Sequence, residues 1–469
     1  MPGTQKIKLH NVLTRRKEMF RPIRKKWVGL YTCGPTVYNF AHVGNLRTYI
    51  FEDVLRRTLD YAGYKVRHVM NITDVDDKII RDSRAAGKKI NAFVQPYETA
   101  FFDDLKKLYI QSAWKYPKAT GHIREMVHLI SVLLKKRLAY KMGGSIYFDI
   151  SKFKKYGRLG RINKVELKSG ARVDADEYTK KDIQDFVLWK TKKPGEPSWP
   201  APFGKGRPGW HIECSAMSMK YLGSTFDIHA GGVDLIFPHH ENEIAQSEGA
   251  TGKPFVRFFV EGEHLLVNGE KMSKSLGNIL TLREIETRGF NPLVLRYLVL
   301  TSHYRSKLNL TWNSLEAAEN SLERLYDFIR NLKGSFSTNS KNKNVTVRAQ
   351  SRTYLNIYRN KFEQSTSNDL DTPRALAVVW GIMHAYNKSP AKFNSKDVLE
   401  LLINFDKILG LRLKEIKPKA IPESIQALIA KREEYRKRKE WAKADLIRKE
   451  LNSRGYILED RPEGPRIKV

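Results

Sequence analysis

The chain has 469 residues, with 84 Lys or Arg against 51 Asp or Glu, a formal net charge of +33 at pH 7. At 41% hydrophobic and 11% aromatic it can bury a core, so the charge does not signal disorder and instead selects a polyanion as partner. No stretch reaches the ~20 apolar residues that cross a bilayer, and residues 1–20 carry charges throughout without an apolar signal core, so no membrane association is expected. The two cysteines, Cys33 and Cys214, are too few for a disulfide framework and fit a reducing, cytoplasmic location. Neither belongs to a C-x-x-C pair, so residue type alone leaves both as small buried hydrophobes.

Lys26 to Cys33 has strand composition and stops at Gly34-Pro35. From Asn45 to Tyr61, Leu46, Ile50, Val54, Leu55 and Leu59 recur at helical spacing, and Tyr64 to Ile72 reads as a second strand. Strand, helix and strand in that order make a βαβ unit and hence a parallel sheet, whose ligands sit at the carboxyl ends where Cys33 and Thr73 fall. Residues 84–205 read as an insertion, mixing helical patterns (Ala100–Leu108, His122–Leu138) with a short strand at Ser145–Asp149. A second α/β stretch resumes at Trp210. The stripe Leu315, Ala318, Leu322, Leu325, Ile329 and Leu332 then predicts a packed helix, and the polar stretch 333–344 a linker to a helical remainder.

Gly204-Lys-Gly-Arg-Pro-Gly209 fits the dinucleotide pattern G-x-G-x-x-G but follows a Pro-rich loop instead of a strand, so it fails the context test; no Walker-type loop is present. Two other segments carry more. In Pro35–Asn45, His42 and Asn45 lie three apart where a strand end meets a helix start, beside free N–H groups suited to an anion, and Gly44 permits close approach. A polar helix cap is the alternative for this pair. In Lys271-Met-Ser-Lys-Ser275, two lysines flank Met272 and Ser273, for which a solvated basic loop is the alternative.

Together the two segments resemble the two signature motifs of class I aminoacyl-tRNA synthetases, the second residue for residue. Tyr31-Thr-Cys-Gly-Pro-Thr-Val-Tyr38, Asn71-Ile-Thr-Asp-Val-Asp-Asp-Lys78, Gly209-Trp-His-Ile-Glu-Cys-Ser-Ala-Met217 and Phe237-Pro-His-His-Glu-Asn-Glu-Ile-Ala-Gln-Ser247 resemble the cysteinyl-tRNA synthetase family, over about Leu9 to Asp460. The resemblance implies an α/β fold: a Rossmann-like parallel-sheet catalytic domain in two halves (1–83 and 206–278), an α+β connective insertion (84–205), a stem-contact helical region (279–332), a linker (333–344) and an all-α anticodon-binding bundle (345–469). It implies one Zn²⁺ per subunit on Cys33, Cys214, His239 and Glu243. If Pro238 opens a helix, His239 and Glu243 fall at i and i+4 on one face, which favours His239 over its neighbour His240.

The resemblance further assigns His42, Gly44, Asn45, Lys271 and Lys274 to ATP with its Mg²⁺, with His42, Asn45 and the two lysines catalytic. It assigns Gly34, Thr73, Trp210 and Asp234 to L-cysteine, although Trp210 alone reads equally as core. The implied partner is tRNA(Cys), and the implied activity is cysteine activation followed by transfer to tRNA. A monomer is expected, since no heptad stands out. A related ligase joining cysteine to an amino sugar would lack the region after 345. Three departures from the family pattern stand out: Asn45 replaces a second histidine, Ala230 a glycine, and Val260-Glu-Gly-Glu-His264 the usual His-x-Gly stretch. The run Lys431–Lys449 holds nine Lys or Arg against four acids, with Tyr435 and Trp441 interleaved. That suits single-stranded RNA, while a solvated basic face stays equally open. A further basic cluster, seven of the twelve residues from Arg15 to Lys26, suits the acceptor stem.

Overall fold

In the computed structural model, which describes residues 6–162, 172–173, 184–272, 277–334, 345–417, 422–460 and 466–468, the chain opens with an antiparallel hairpin, β1 (Lys8–Asn11) on β2 (Arg16–Met19). The expected βαβ unit follows as β3 (Trp27–Thr32), α1 (Val43–Tyr61) and β4 (Lys65–Met70), with β3 and β4 parallel. The residues that carried the helical spacing, Leu46, Ile50, Val54, Leu55 and Leu59, are all buried.

The insertion holds α2 (Asp77–Ala85), α3 (Ile90–Lys107) and α4 (Ile123–Lys135). After them come β5 (Ala139–Met142), β6 (Ser145–Phe148), β7 (Arg172–Val173), β8 (Asp185–Thr191) and β9 (Gly206–Pro208). These five strands form one sheet, of which only β6 was legible in advance. β8 is buried at six successive positions, so it lacks the alternation that marks a half-exposed strand. The segment 204–209 supplies β9, paired with β8 at the edge of that sheet, where Pro208 needs no ladder donor.

α5 (Trp210–Leu222), β10 (Phe226–Gly232), α6 (His239–Thr251) and β11 (Val256–Gly262) complete the main sheet. Its order is β11-β10-β3-β4, parallel at each pairing, so Cys33, Thr73, Gly232 and Gly262 gather at one carboxyl edge. Then come β12 (Leu265–Val267) and β13 (Glu270–Lys271), α7 (Leu282–Thr287), α8 (Pro292–Leu300), and β14 (Leu308–Leu310), which joins β12 and β13 in a small sheet. α9 (Trp312–Gly334) buries the whole predicted stripe from Leu315 to Leu332. α10 (Val345–Ser367), α11 (Thr372–Lys388) and α12 (Ser395–Leu409) follow.

The chain divides into two compact units, Met1–Leu325 with Asn344–Leu413, and Tyr326–Lys343 with Lys414–Val469. The helices of 345–409, grouped by sequence with the C-terminal bundle, therefore belong to the catalytic body. The cause is a set of buried polar ties. Arg296 of α8, fully buried, donates to Asp53 of α1 (2.6 Å), to Leu108 O (3.0 Å) and to Leu409 O at the end of α12 (2.7 Å). Burial opposes ionisation of Asp53, but Arg296 and Arg57 outweigh it and hold its carboxyl below the usual range. Tyr61 of α1 donates to Asn404 at 2.6 Å.

The second unit contains α13 (Glu423–Lys437), α14 (Trp441–Ser453), and a hairpin of β15 (Ile457–Glu459) with β16 (Arg466–Lys468). It closes over Ile425, Ile447, Leu451 and Leu458, with Arg432 gripping both oxygens of Asp460 (2.7 and 2.9 Å). Among the described residues no helix is long and apolar enough to cross a membrane.

Candidate active site and metal centre

Cys33 follows the end of β3, Cys214 lies on α5, and His239 and Glu243 sit one turn apart on α6. All four are buried, and their donor atoms lie within 4.8 Å of one another. His239 Nε2 is 3.1 Å from Glu243 Oε1. Burial raises both thiols; at Cys33 the neighbouring Cys214 and then Glu243 add to it. Two thiols, an imidazole and a carboxylate packed out of water could together hold a metal ion, and S₂NO is a donor set that suits zinc.

Sequence reasoning missed the shell around this cluster. His211 Nδ1 is 2.9 Å from His239 Nδ1, leaving His239 Nε2 on the Glu243 side. His229 Nε2 is 3.0 Å from Glu243 Oε2. His240, the rival to His239, lies 3.5 Å from the Cys33 sulfur through Nε2 and 2.9 Å from Glu261 through Nδ1. Cys33, His229, His240 and Glu243 thus form a second, overlapping donor set, but only the set with His239 includes both sulfurs. The departure at Glu261 gains a purpose: its carboxylate is the partner of His240.

The amino-acid residues expected around the metal converge in part. The Trp210 ring stacks on the His239 imidazole (centroids 4.2 Å apart, 30° between planes), so it lies against the metal cluster. Thr73, buried, donates from Oγ1 to Glu213 at 2.8 Å. Asp234 is exposed, in the turn Val233–Ile236, and its charge acts on His42 of the other motif. Gly34 donates its N–H to Asn71 Oδ1 at 3.0 Å, and a Cβ there would overlap the Asn71 carbonyl oxygen. Gly34→Ala is therefore expected to push the ends of β3 and β4 apart. It should cost at least the ~1–3 kcal/mol of an overpacked core, read as a lowered Tm together with weakened cysteine binding.

His42 and Asn45 form a reciprocal cap at the start of α1. Asn45 N–H donates to His42 Nδ1 at 3.2 Å, and His42 N–H donates to Asn45 Oδ1 at 3.3 Å. The polar-cap alternative describes the local geometry, and it also fixes both side chains at a helix N-terminus. Burial lowers the His42 pKa, partly offset by Asp234, which favours the neutral ring.

The second motif comes to meet the first. Val43 N–H donates to Leu280 O at 2.8 Å, and a Cβ on Gly44 would fall 2.7 Å from Met272 Cε. Arg47, one turn further along α1 and buried, donates to the carbonyls of His264 and Ser306, fastening β12 to the helix that carries His42. The backbone of His264 is thus used by Arg47. Lys271 is exposed at the end of β13; Lys274 lies outside the described residues.

The model of the tRNA synthetases class I (C) catalytic domain matches residues 19–320, and that of the cysteinyl-tRNA ligase anticodon binding domain matches residues 419–466. The chain belongs to the cysteinyl-tRNA synthetase family. It is 44% identical to the cysteine–tRNA ligase of Protochlamydia amoebophila (strain UWE25) and 46% identical to that of Leptospira interrogans, in each case over 98% of both chains. In fold it is similar to the methionyl-tRNA synthetase of Mycobacterium tuberculosis in complex with methionyl-adenylate (TM-score 0.61, 15% identity, 82% of this chain and 88% of that one). The anticodon-binding match takes in α13, α14 and β15 and leaves α10–α12 outside it.

Proposed function

We propose that the protein activates L-cysteine with ATP and transfers it to the 3′-terminal ribose of tRNA(Cys), choosing cysteine by its thiol. The observation that carries this is the buried convergence of Cys33, Cys214, His239 and Glu243 at the sheet edge, close to the capped N-terminus of α1. One Zn²⁺ per chain is the metal this set would hold; when bound, it favours a substrate thiolate, which a serine hydroxyl cannot match because it does not give up its proton near neutral pH.

The chain's own groups do the remainder. Gly34, Thr73 and Trp210 line the amino acid, and the exposed carboxylate of Asp234 suits its ammonium group. His42, Asn45 and the close approach allowed by Gly44 hold the triphosphate at the N-terminus of α1. Lys271 and Lys274 neutralise charge on it, to which the Mg²⁺ accompanying ATP would add further neutralisation. The substrate carboxylate then attacks the α-phosphorus in line, pyrophosphate leaves, and positioning with charge neutralisation supplies the rate. In the second unit Trp441, 57% exposed, is the ring available for stacking an anticodon base, whereas Tyr435 packs against the small core. A cytoplasmic monomer completes the reading.

Cysteine-dependent pyrophosphate exchange with ATP tests it. Wild-type protein should exchange with cysteine and not with serine. Lys274→Ala should slow exchange by about 10²-fold, roughly the 2.7 kcal/mol of one charge-stabilising donor, with metal content unchanged. Equal exchange in the variant would mean that 271–275 is a surface loop only.

A further inference from the structure

A cleft of about 850 Å³ lies between the β1–β2 hairpin and the corner joining α10 to α11. Four cations line it, Lys6, Lys8, Lys361 and Arg374, together with the polar side chains of Ser367 and Asn368. Among the described lining residues none is acidic and none is aromatic. Lys17 of β2 adds a fifth cation nearby, donating to Asn368 Oδ1 at 3.3 Å.

The corner is held in a costly shape. Asp369 and Leu370 both occupy the left-handed region (φ 68° and 56°), which such residues seldom adopt without outside support. The support is the Asp369 carboxylate. It is buried and accepts from His10 N–H (2.8 Å), Tyr304 O–H (2.6 Å) and Arg305 Nε (2.9 Å), while Asp369 N–H donates to Lys8 O at 2.8 Å. Asp369 is thereby turned inward onto its own partners and does not offset the cations of the cleft, while Asp371, the other acid of the corner, pairs with Arg374 at 3.3 Å. Asn368 and Lys8 are fixed on opposite sides of one rigid junction.

We infer that this cleft is a docking groove for the sugar–phosphate backbone of a base-paired stem of the tRNA. Like charges on both walls repel each other in the free protein, and a polyanion relieves that repulsion while releasing its counterions. Lysine, arginine, hydroxyl and amide groups are those that take phosphate and sugar oxygens without reading sequence. Unpaired bases would need rings to stack on, and the cleft offers none. The groove lies in the catalytic body, apart from the stretch matched to an anticodon-binding domain, and the inference rests on the proposed reading of tRNA as substrate.

The test uses the full chain with the double substitution Lys8→Glu and Lys361→Glu. Binding of unmodified tRNA(Cys) transcript is measured against salt concentration, and cysteine-dependent pyrophosphate exchange is measured without tRNA. The variant should bind tRNA at least tenfold more weakly near 0.1 M salt, with a log–log salt slope shallower by about two, at roughly 0.9 per phosphate contact. Exchange should be unchanged, and a paired RNA stem of unrelated sequence should lose affinity in the same proportion. Unchanged tRNA affinity and slope in a variant that still exchanges overturns the groove. If wild-type protein fails to exchange, the functional reading falls, and the salt slopes still decide the groove. Should charge reversal impair exchange in the variant alone, the neutral pair Lys8→Gln and Lys361→Gln reads the same change in slope, and an unchanged slope there is equally decisive against it.

Discussion

Cys214→Ser should cost the protein its metal and its preference for cysteine while leaving ATP binding intact. The sulfur sits on α5, fully out of water, within 4.8 Å of three other donors. A serine hydroxyl in its place is a poor zinc ligand near neutral pH, because it must keep its proton, and the overlapping set of Cys33, His229, His240 and Glu243 that remains offers a single sulfur. Zinc per chain, measured after dialysis against a chelator, should fall from about one to well below one. The kcat/KM for cysteine in pyrophosphate exchange should drop by about 10³-fold or more, some 4 kcal/mol at 1.36 kcal/mol per decade. ATP affinity should hold, because His42, Gly44 and Asn45 are placed by the cap of α1, which uses no atom of Cys214. The exchange of one small buried group for another leaves the helix intact, so far-ultraviolet circular dichroism should be unchanged. Full zinc retention with undiminished rejection of serine would remove the metal from the selection step.

The parts of the fold legible in sequence were those whose cause is local. α1 was readable because five apolar residues recur on one face, and the α9 stripe for the same reason; β3 and β4 were marked by β-branched composition and the Gly34-Pro35 stop. β8 escaped because a strand buried on both faces has no period to read, and β5 because its outer half is exposed. The metal quartet was visible only through resemblance joined to the i, i+4 spacing of His239 and Glu243. The surrounding His211, His229 and Glu261 depend on β10, β11, α5 and α6 meeting at one edge, which no local pattern encodes. The assignment of α10–α12 failed for the same reason. Arg296 reads in sequence as an interruption of an apolar run, yet its side chain bonds to Asp53, 243 residues earlier, and to Leu409, 113 residues later.

That misplacement decides where the protein can be cut. Ending the chain after Lys417 removes α13, α14 and the β15–β16 hairpin, none of which supplies a residue proposed for metal, ATP or cysteine. Exchange with cysteine should stay within about twofold of the full chain, while kcat/KM for tRNA charging falls by about 10³-fold through loss of basic contacts that touch no chemical step. The fall should lie mainly in the KM for tRNA, and the truncated protein should show a shallower salt dependence than the full chain. Ending the chain at Lys333, at the polar linker, should behave differently. It strips Leu409 O from Arg296 and Asp369 from Tyr304 and Arg305, and it leaves buried polar groups of the catalytic body unpaired. Each buried donor left without its partner, as at Arg296 and Tyr304, costs about 1–3 kcal/mol, together a large share of the ~5–15 kcal/mol that holds a typical domain. Cysteine-dependent exchange should be lost along with the cooperative thermal transition. Equal exchange by the two truncated proteins would mean that α10–α12 are packed on the catalytic body without supporting it, and undiminished tRNA charging by the longer one would mean that residues 418–469 are not a tRNA-binding element.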